Sequence, residues 1–353
     1  KSGWMVPTRV MDTREGLGGP TLGPSTVRTL DLSSSGVPAD ATAVALNLTA
    51  TRATVNSFVA VYPTSSARPD VSALNTVEGL DVSNGIVVGL GPNRRIDLYN
   101  HDGSVDLVVD VMGWFGPAGV NKITPARVLD TRSTGGPMAA GGTRVVQVTG
   151  GAVPAGAKAV AVNVTAVAPS EDTYVTAWPG VGPKPDASAV NAVGGRTVAN
   201  AMVLGLDNAG RMSLYNHAGA TDVLVDVLGW FDAGGFNAIE PTRRMDTREG
   251  LGGVVLGPGE ARSLDVLPAG VTAGQVAAVS LNITATESSV PSFLSIWPSD
   301  GSQPNASVVN MEAGQTVANA HLVDVGADGK IVIFNNTGSS HVVVDITGWV
   351  PVG

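Results

Sequence analysis

The sequence predicts an all-β protein made of three tandem, homologous antiparallel β-sandwich domains of jelly-roll type. Three observations predict this fold: a repeat of domain length, apolar and polar residues that alternate with a period of two, and turn-forming residues between the alternating runs. A closed barrel in each copy is the alternative that the same pattern allows.

The repeat is clearest in two motifs that each occur three times. AVALNLTAT, AVAVNVTAV and AVSLNITAT are versions of one segment, and LVVDVMGWF, VLVDVLGWF and VVVDITGWV are versions of another. A DTR triplet also recurs, and its aspartates Asp12, Asp130 and Asp246 lie 118 and 116 residues apart. A segment of this length can bury a core of its own. We therefore predict three domains, at residues 1–118, 119–235 and 236–353.

The alternating runs predict the strands within each copy. TAVALNLTA, SFVAVYP and RIDLYN have the period-two pattern, whereas EGLGGP, HDGS and NAGR supply the Gly, Asn and Asp that favour turns. The segments that join the copies are too short for a long flexible tether. We therefore expect the copies to touch, either in a row or around a pseudo-threefold axis.

Composition excludes several classes of function. The 353 residues include 21 Lys+Arg and 30 Asp+Glu, a net charge of −9, and no basic run is longer than Arg94-Arg95. Nucleic acid needs a concentrated cationic surface, so it is not an expected partner. No apolar run approaches the ~18 residues of a membrane span, so membrane insertion is not expected. With no cysteine in the chain, disulfides and thiolate chemistry are excluded.

The DTR triplets are the most conspicuous charged feature of the repeat. An aspartate and an arginine two positions apart on a strand point to the same face and can pair. Acid–base catalysis needs a second tuned group, and none recurs, because Glu15 and Glu249 are matched by Ser133 in the second copy. We interpret the triplets as structural struts, formed by Asp12 and Arg14, Asp130 and Arg132, and Asp246 and Arg248.

A second aspartate recurs inside the apolar VVDV-like runs, at Asp110, Asp226 and Asp345. Such a carboxylate is expected to be buried, and a buried carboxylate requires a charged or hydrogen-bonding partner. The candidates are the arginines of the triplets and a second set that precedes them, Arg9, Arg127 and Arg243.

Aromatic residues recur in register and are few, so most are expected to anchor packing. The tryptophans that end each copy, Trp114, Trp230 and Trp349, are predicted to cap the core. Three aromatic residues are followed by proline, which ends a strand, and their rings could pack at the rim of a domain or stack on a sugar. These are Tyr62, Trp178 and Trp297.

An asymmetric catalytic site would have to use residues that differ between the three copies. His321 and His341 occur only in the third copy, and neither has the spacing of a metal-binding or catalytic motif. We therefore predict no catalytic residues, no metal site and no cofactor. An enzyme built on these two histidines is the least favoured reading.

The motifs together resemble a repeat of secreted and surface proteins of actinobacteria, where it is appended to hydrolases or occurs in arrays. Its outline is P-x-R-x-x-DTR, a glycine-rich turn, AV-x-x-N-x-T, aromatic-Pro, S-x-x-N and VVDV-x-GW. In the first copy these elements lie at Pro7–Arg14, Ala43–Thr49, Tyr62-Pro63, Ser72–Asn75 and Val108–Trp114. The resemblance implies export, and so an extracellular or cell-surface location, but it implies no catalysis.

Two functions remain as expectations. The first is a non-enzymatic structural or adhesive protein at a bacterial surface or on a secreted assembly. The alternative is a multivalent carbohydrate- or cell-wall-binding protein, in which Tyr62, Trp178 and Trp297 would contact sugar. The expected partners are a surface glycan or another extracellular protein, and self-association remains open.

Overall fold

The structure is a computed structural model that describes residues 2–117 and 119–352. It contains 24 β-strands, and the helical segments in these residues are two short 3₁₀ turns, Pro92–Arg94 and Ala273–Gln275. The prediction of an all-β protein is confirmed.

Each copy of the repeat forms eight strands. In copy 1 these are β1 (Ser2–Asp12), β2 (Thr26–Asp31), β3 (Ala43–Thr51), β4 (Ser57–Pro63), β5 (Leu74–Thr76), β6 (Val82–Gly89), β7 (Arg95–Asn100) and β8 (Asp106–Phe115). In copy 2 they are β9 (Asn121–Asp130), β10 (Thr143–Gln147), β11 (Ala159–Val167), β12 (Thr173–Pro179), β13 (Val190–Ala192), β14 (Val198–Gly205), β15 (Arg211–Asn216) and β16 (Asp222–Phe231). In copy 3 they are β17 (Asn237–Asp246), β18 (Glu260–Asp265), β19 (Val276–Thr286), β20 (Ser292–Pro298), β21 (Val309–Met311), β22 (Val317–Val323), β23 (Lys330–Asn335) and β24 (His341–Pro351).

The strands of each copy divide into two four-stranded antiparallel sheets. In copy 1 the strand orders are β1-β8-β3-β6 and β2-β7-β4-β5, and copies 2 and 3 repeat both orders. The chain passes repeatedly between the two sheets of a copy, so β4 and β5 are the only consecutive strands that pair in the described residues of copy 1, and the other sheet neighbours of that copy are distant in sequence.

The six sheets are arranged as a six-bladed β-propeller, with two blades from each copy. The prediction of three tandem β-sandwich domains is therefore wrong. The period-two pattern identifies strands, but it does not determine how sheets from different copies pack. Each copy contributes an apolar core, and the cluster that includes the core of copy 1 also contains buried side chains of the other two copies, among them Phe231 and Val350.

The copies meet at three strands that lie at sheet edges, β6, β14 and β22, which contact one another. The backbones approach closely at this junction. A Cβ atom added to Gly85 would lie only 2.1 Å from the carbonyl oxygen of Ala320, so no side chain fits at that position. Neighbouring strand β3 is buried along its whole length, because other strands pair with both of its edges and its faces are covered.

Candidate functional site

The junction of the copies is held together by a ring of buried asparagines. Asn84 of copy 1 donates to the Oδ1 atom of Asn163 in copy 2 over 3.1 Å and accepts from the backbone N–H of Ala201 over 2.8 Å. The same pair of contacts joins copies 2 and 3, and copies 3 and 1. These contacts are Asn200 to Asn282 (2.8 Å), Ala320 N–H to Asn200 (2.8 Å), Asn319 to Asn47 (3.2 Å) and Gly85 N–H to Asn319 (2.8 Å).

The ring explains why these asparagines recur in the middle of strands, where asparagine is otherwise disfavoured. Asn84, Asn200 and Asn319 are at most 1% exposed, so each amide depends on protein partners. Because the third set of bonds joins copy 3 back to copy 1, the three copies form a closed ring.

A small central cavity lies beside the ring of asparagines. It holds about 20 Å³ and is lined by Ile86, Met202 and His321, which occupy equivalent positions in the three copies. Only the third copy therefore places an ionisable group there. The Nε2 atom of His321 has no hydrogen-bond partner, and burial lowers the pKa of this histidine to about 4.

Each DTR triplet forms a two-point ion pair within its own turn. Arg132 donates through Nε and Nη2 to the two carboxylate oxygens of Asp130 over 2.9 and 2.7 Å, and its backbone N–H donates to Oδ1 over 3.0 Å. The hydrogen bond from Arg132 is the main cause that lowers the pKa of Asp130 to about 2. The same geometry joins Arg14 to Asp12 and Arg248 to Asp246.

The second recurring aspartate pairs with the arginine that precedes the triplet. Arg127 donates through Nε and Nη2 to Asp226 over 2.7 and 3.0 Å, and the side chain of Asp226 is fully buried. Burial raises the pKa of Asp226, and the bonds from Arg127 oppose that rise. The equivalent pairs are Arg9 with Asp110 and Arg243 with Asp345. The arginines that bond to these buried aspartates are therefore the ones that precede the triplets, and not the arginines of the triplets themselves.

The threonine of the triplet links the turn to the last strand of its copy. Thr131 donates to Asp222 over 2.6 Å and accepts from the backbone N–H of Val223 over 2.8 Å. In copy 3 the partner of Thr247 is His341, over 3.0 Å. His341 thus occupies the place of a structural aspartate, a substitution that the alignment of the three copies could have shown.

The aromatic residues divide into buried and groove-lining sets. Tyr62, Trp178 and Trp297 are only 4, 4 and 7% exposed, so their rings offer no face to a sugar in this structure. The strand-ending tryptophans Trp114, Trp230 and Trp349 are half-buried and pack against the apolar clusters. The rings that line surface grooves are Phe58 and Tyr174, neither of which belongs to the aromatic-Pro pairs.

Two equivalent grooves lie between consecutive copies. The groove between copies 1 and 2, here called groove 1–2, holds about 210 Å³, and the groove between copies 2 and 3, groove 2–3, holds about 250 Å³. Both combine an aromatic ring, a DTR arginine, an exposed aspartate, an asparagine and a threonine. In groove 1–2 these are Phe58, Arg132, Asp70, Asn75 and Thr165, and in groove 2–3 they are Tyr174, Arg248, Asp186, Asn191 and Thr284.

The part of the chain that the structure describes contains neither a metal-binding cluster nor a membrane-spanning helix. No group of three or more His, Asp or Glu side chains within 2–117 and 119–352 is arranged to hold a metal ion. None of the helices in those ranges has the length and apolar character needed to cross a membrane.

Comparisons with known proteins assign no family. No family model matches the chain, and no curated protein matches it. Among solved structures, it is similar to a triple jelly-roll turret protein of an archaeal virus (8% identity, 93% of this chain and 84% of that one, TM-score 0.25). Others are a Sulfolobus turreted icosahedral virus structure (10%, 94% and 83%, 0.24) and the CBM22-1-CBM22-2 tandem domain of Paenibacillus barcinonensis Xyn10C (12%, 63% and 98%, 0.20). TM-scores this low do not indicate a shared fold.

Proposed function

We propose that this protein is a non-enzymatic structural or adhesive element that acts outside the cell. The observation that carries the proposal is the closed ring of asparagines, which joins the three copies into one body. An element that transmits force or holds surfaces apart benefits from such closure, because no copy can separate without breaking contacts on both sides.

The recurring charged residues support the same proposal. Asp130 and Asp226 are both engaged by arginines at two points, so neither carboxylate is free to act on a substrate. These pairs hold turns and strand edges in place. The extracellular location rests on the sequence resemblance described above.

Pulling the full chain from its two ends in a single-molecule force experiment tests the mechanical part of the proposal. We expect one dominant unfolding event that involves all three copies. Replacing Asn84, Asn200 and Asn319 together by alanine should split it into smaller events at lower force. Three equal, independent events in the unmodified protein would contradict the proposal, since they would show that the copies bear load separately.

The grooves between copies favour a second candidate function, carbohydrate binding at several sites. Groove 1–2 and groove 2–3 each set an aromatic ring beside side chains that hydrogen-bond to hydroxyl groups. Several weak sites on one body would gain avidity on a polymeric ligand. In this candidate the contacts come from Phe58 and Tyr174 in place of the three buried rings.

Comparing a cell-wall polysaccharide with its own monosaccharide tests this second candidate. We expect much tighter binding of the polymer by the full chain, and a loss of that advantage when Phe58 and Tyr174 are both replaced by alanine. If the double variant binds the polymer as tightly as the unmodified protein does, the grooves are not the carbohydrate-binding sites.

A further inference from the structure

We propose that groove 1–2 is a binding site for one uncharged sugar ring, recognised through the Nδ2 atom of Asn75 and the Oγ1 atom of Thr165. The inference rests on the second candidate function and specifies its site and ligand class. With a site of this kind at groove 1–2, the three junctions between copies differ in ligand binding, although the motifs that form them are repeated.

The first observation is a pair of buried polar atoms without partners. Asn75 Nδ2 and Thr165 Oγ1 are both buried and have no hydrogen-bond partner among the described residues, and both residues line groove 1–2. Thr165 is 1% exposed. Leaving a buried donor or acceptor unpaired costs about 1–3 kcal/mol, so two in one groove favour a ligand that pairs with both.

The junction between copies 3 and 1 shows what normally satisfies these two groups. There the hydroxyl of Ser83 lies 2.6 Å from Asn310 Nδ2 and 2.8 Å from Thr49 Oγ1, and so bridges the equivalents of Asn75 and Thr165. In copy 2 the residue at the position of Ser83 is Ala199, which pairs with Thr165 across the strands as Ser83 pairs with Thr49. Groove 1–2 therefore lacks the bridging hydroxyl, and a ligand hydroxyl can supply it.

Groove 2–3 is an intermediate case. Its alanine, Ala318, also lacks a hydroxyl, but Asn191 donates to the Oγ atom of Ser188 in its own copy over 3.1 Å. The amide that would meet a ligand is thus already engaged. Among the described residues of the three junctions, only those at groove 1–2 leave both the asparagine and the threonine without a hydrogen-bond partner.

The charges around the groove favour an uncharged ligand. Both of its arginines are neutralised at two points, Arg127 by Asp226 and Arg132 by Asp130. The remaining charge on the wall is that of exposed Asp70, which would repel an anion. A carboxylated or sulfated sugar is therefore disfavoured relative to a neutral one.

The shape and the apolar wall favour a single ring. Phe58 is half-buried, stacks on His101 with the ring centroids 4.6 Å apart, and lines the groove. The volume of about 210 Å³ is below the roughly 300–1,000 Å³ of pockets for drug-sized ligands. The C–H face of a pyranose suits such an aromatic wall, while its hydroxyls reach Asn75 and Thr165.

The experiment is an NMR titration of the full chain with glucose, galactose, mannose and N-acetylglucosamine, with glucuronate as the charged probe. We expect at least one neutral probe to shift the side-chain amide signals of Asn75, with a dissociation constant on the order of 1 mM. Glucuronate should bind more weakly than glucose.

Two substitutions at one position of the repeat provide matched variants. Ala199→Ser inserts the hydroxyl that Ser83 supplies at the other junction, and it should weaken binding about tenfold without lowering the melting temperature. Ser83→Ala removes the bridging hydroxyl from the junction of copies 3 and 1 alone, so it should leave sugar binding at groove 1–2 unchanged. Thr165→Val, which keeps the shape of the side chain, should weaken binding as Ala199→Ser does.

The outcomes separate this inference from the second candidate function. If a sugar binds but leaves the Asn75 amide unshifted and is unaffected by Ala199→Ser, the site lies elsewhere, and only the assignment to groove 1–2 is overturned. If no neutral probe shifts any signal at concentrations well above ~1 mM, the inference is overturned, whereas the carbohydrate candidate is overturned only if the polysaccharide also fails to bind. The structural proposal is unaffected by either result.

Discussion

The centre of the molecule and its DTR turns use polar side chains in opposite ways. At the centre, buried and uncharged Asn200 bonds to residues of another copy. At the turns, Asp130 and Arg132 are charged, bond to each other, and leave the arginine side chain 48% exposed. Both motifs recur three times, so recurrence in the sequence does not distinguish a contact that joins copies from one that stays within a copy.

Burial makes the two kinds of contact unequal in energy. A buried amide that loses its partners leaves groups that water cannot reach, whereas an exposed ion pair that breaks is replaced by water on both sides. We therefore expect the centre to determine the stability of the whole ring and the turns to adjust it. Three predictions test this difference, beginning with the largest expected effect.

Asn200→Ala should lower the free energy of unfolding by about 3 kcal/mol. The substitution removes bonds to Asn282 and to the carbonyl of Ala189, and it leaves the buried N–H of Ala320 unpaired. Urea unfolding at neutral pH measures the change. The matched control is Asn191→Ala, whose half-buried amide makes a bond only to Ser188, and which should cost about 1 kcal/mol. Equal losses would remove the distinction between centre and surface.

His321→Met should make the protein less sensitive to acid. Burial lowers the pKa of His321 to about 4, against about 6.5 in the unfolded chain, so the unfolded state takes up a proton first as the pH falls. Stability is then lost between about pH 6.5 and pH 4, and the loss between pH 7 and pH 5 is about 2 kcal/mol.

The methionine variant matches Met202 at the equivalent position of copy 2 and has no proton to take up. Thermal unfolding of both proteins at pH 7 and pH 5 provides the comparison. If the two proteins lose the same stability over this range, the buried histidine is not the source of the acid sensitivity.

Asp130→Asn should have the smallest effect, at most about 1 kcal/mol at neutral pH, because Arg132 is half-exposed. The pKa of Asp130 is about 2, below that of an unfolded aspartate, so the stability it contributes is present above about pH 4 and lost as the pH falls towards 2. The difference between the variant and the unmodified protein should therefore shrink between pH 7 and pH 2.5. A constant difference would show that the ionised carboxylate is not what stabilises the turn.

Much of the local structure could be predicted from the sequence. The alternation in SFVAVYP predicts a strand, and the structure has β4 there. The apolar run around Asp226 predicts a buried carboxylate with an arginine partner, and the side chain of Asp226 is buried beside Arg127. Both inferences concern residues of a single copy, where periodicity and the cost of burying charge are informative.

The arrangement of the sheets could not be predicted, because it depends on contacts between copies. Nothing in the run VSNG shows that Asn84 meets Asn163, or that Ser83 bridges two residues of different copies. The sequence shows that Ala199 stands where copy 1 has Ser83. The loss of a bridging hydroxyl is apparent only when the structures of the two junctions are compared. For this reason the sequence does not indicate the groove, and the aromatic-Pro pattern indicates Tyr62, which is buried.

The closure of the asparagine ring also limits how many copies can assemble. Each junction joins two different surfaces, head to tail, and contacts of this type form either an endless filament or a ring, depending on the rotation between neighbours. Here the hydrogen bond from Asn319 to Asn47 joins copy 3 to copy 1 and closes the ring after three copies. A fourth copy would find no free surface at the centre, so we expect longer arrays of this repeat to grow in multiples of three, one ring after another.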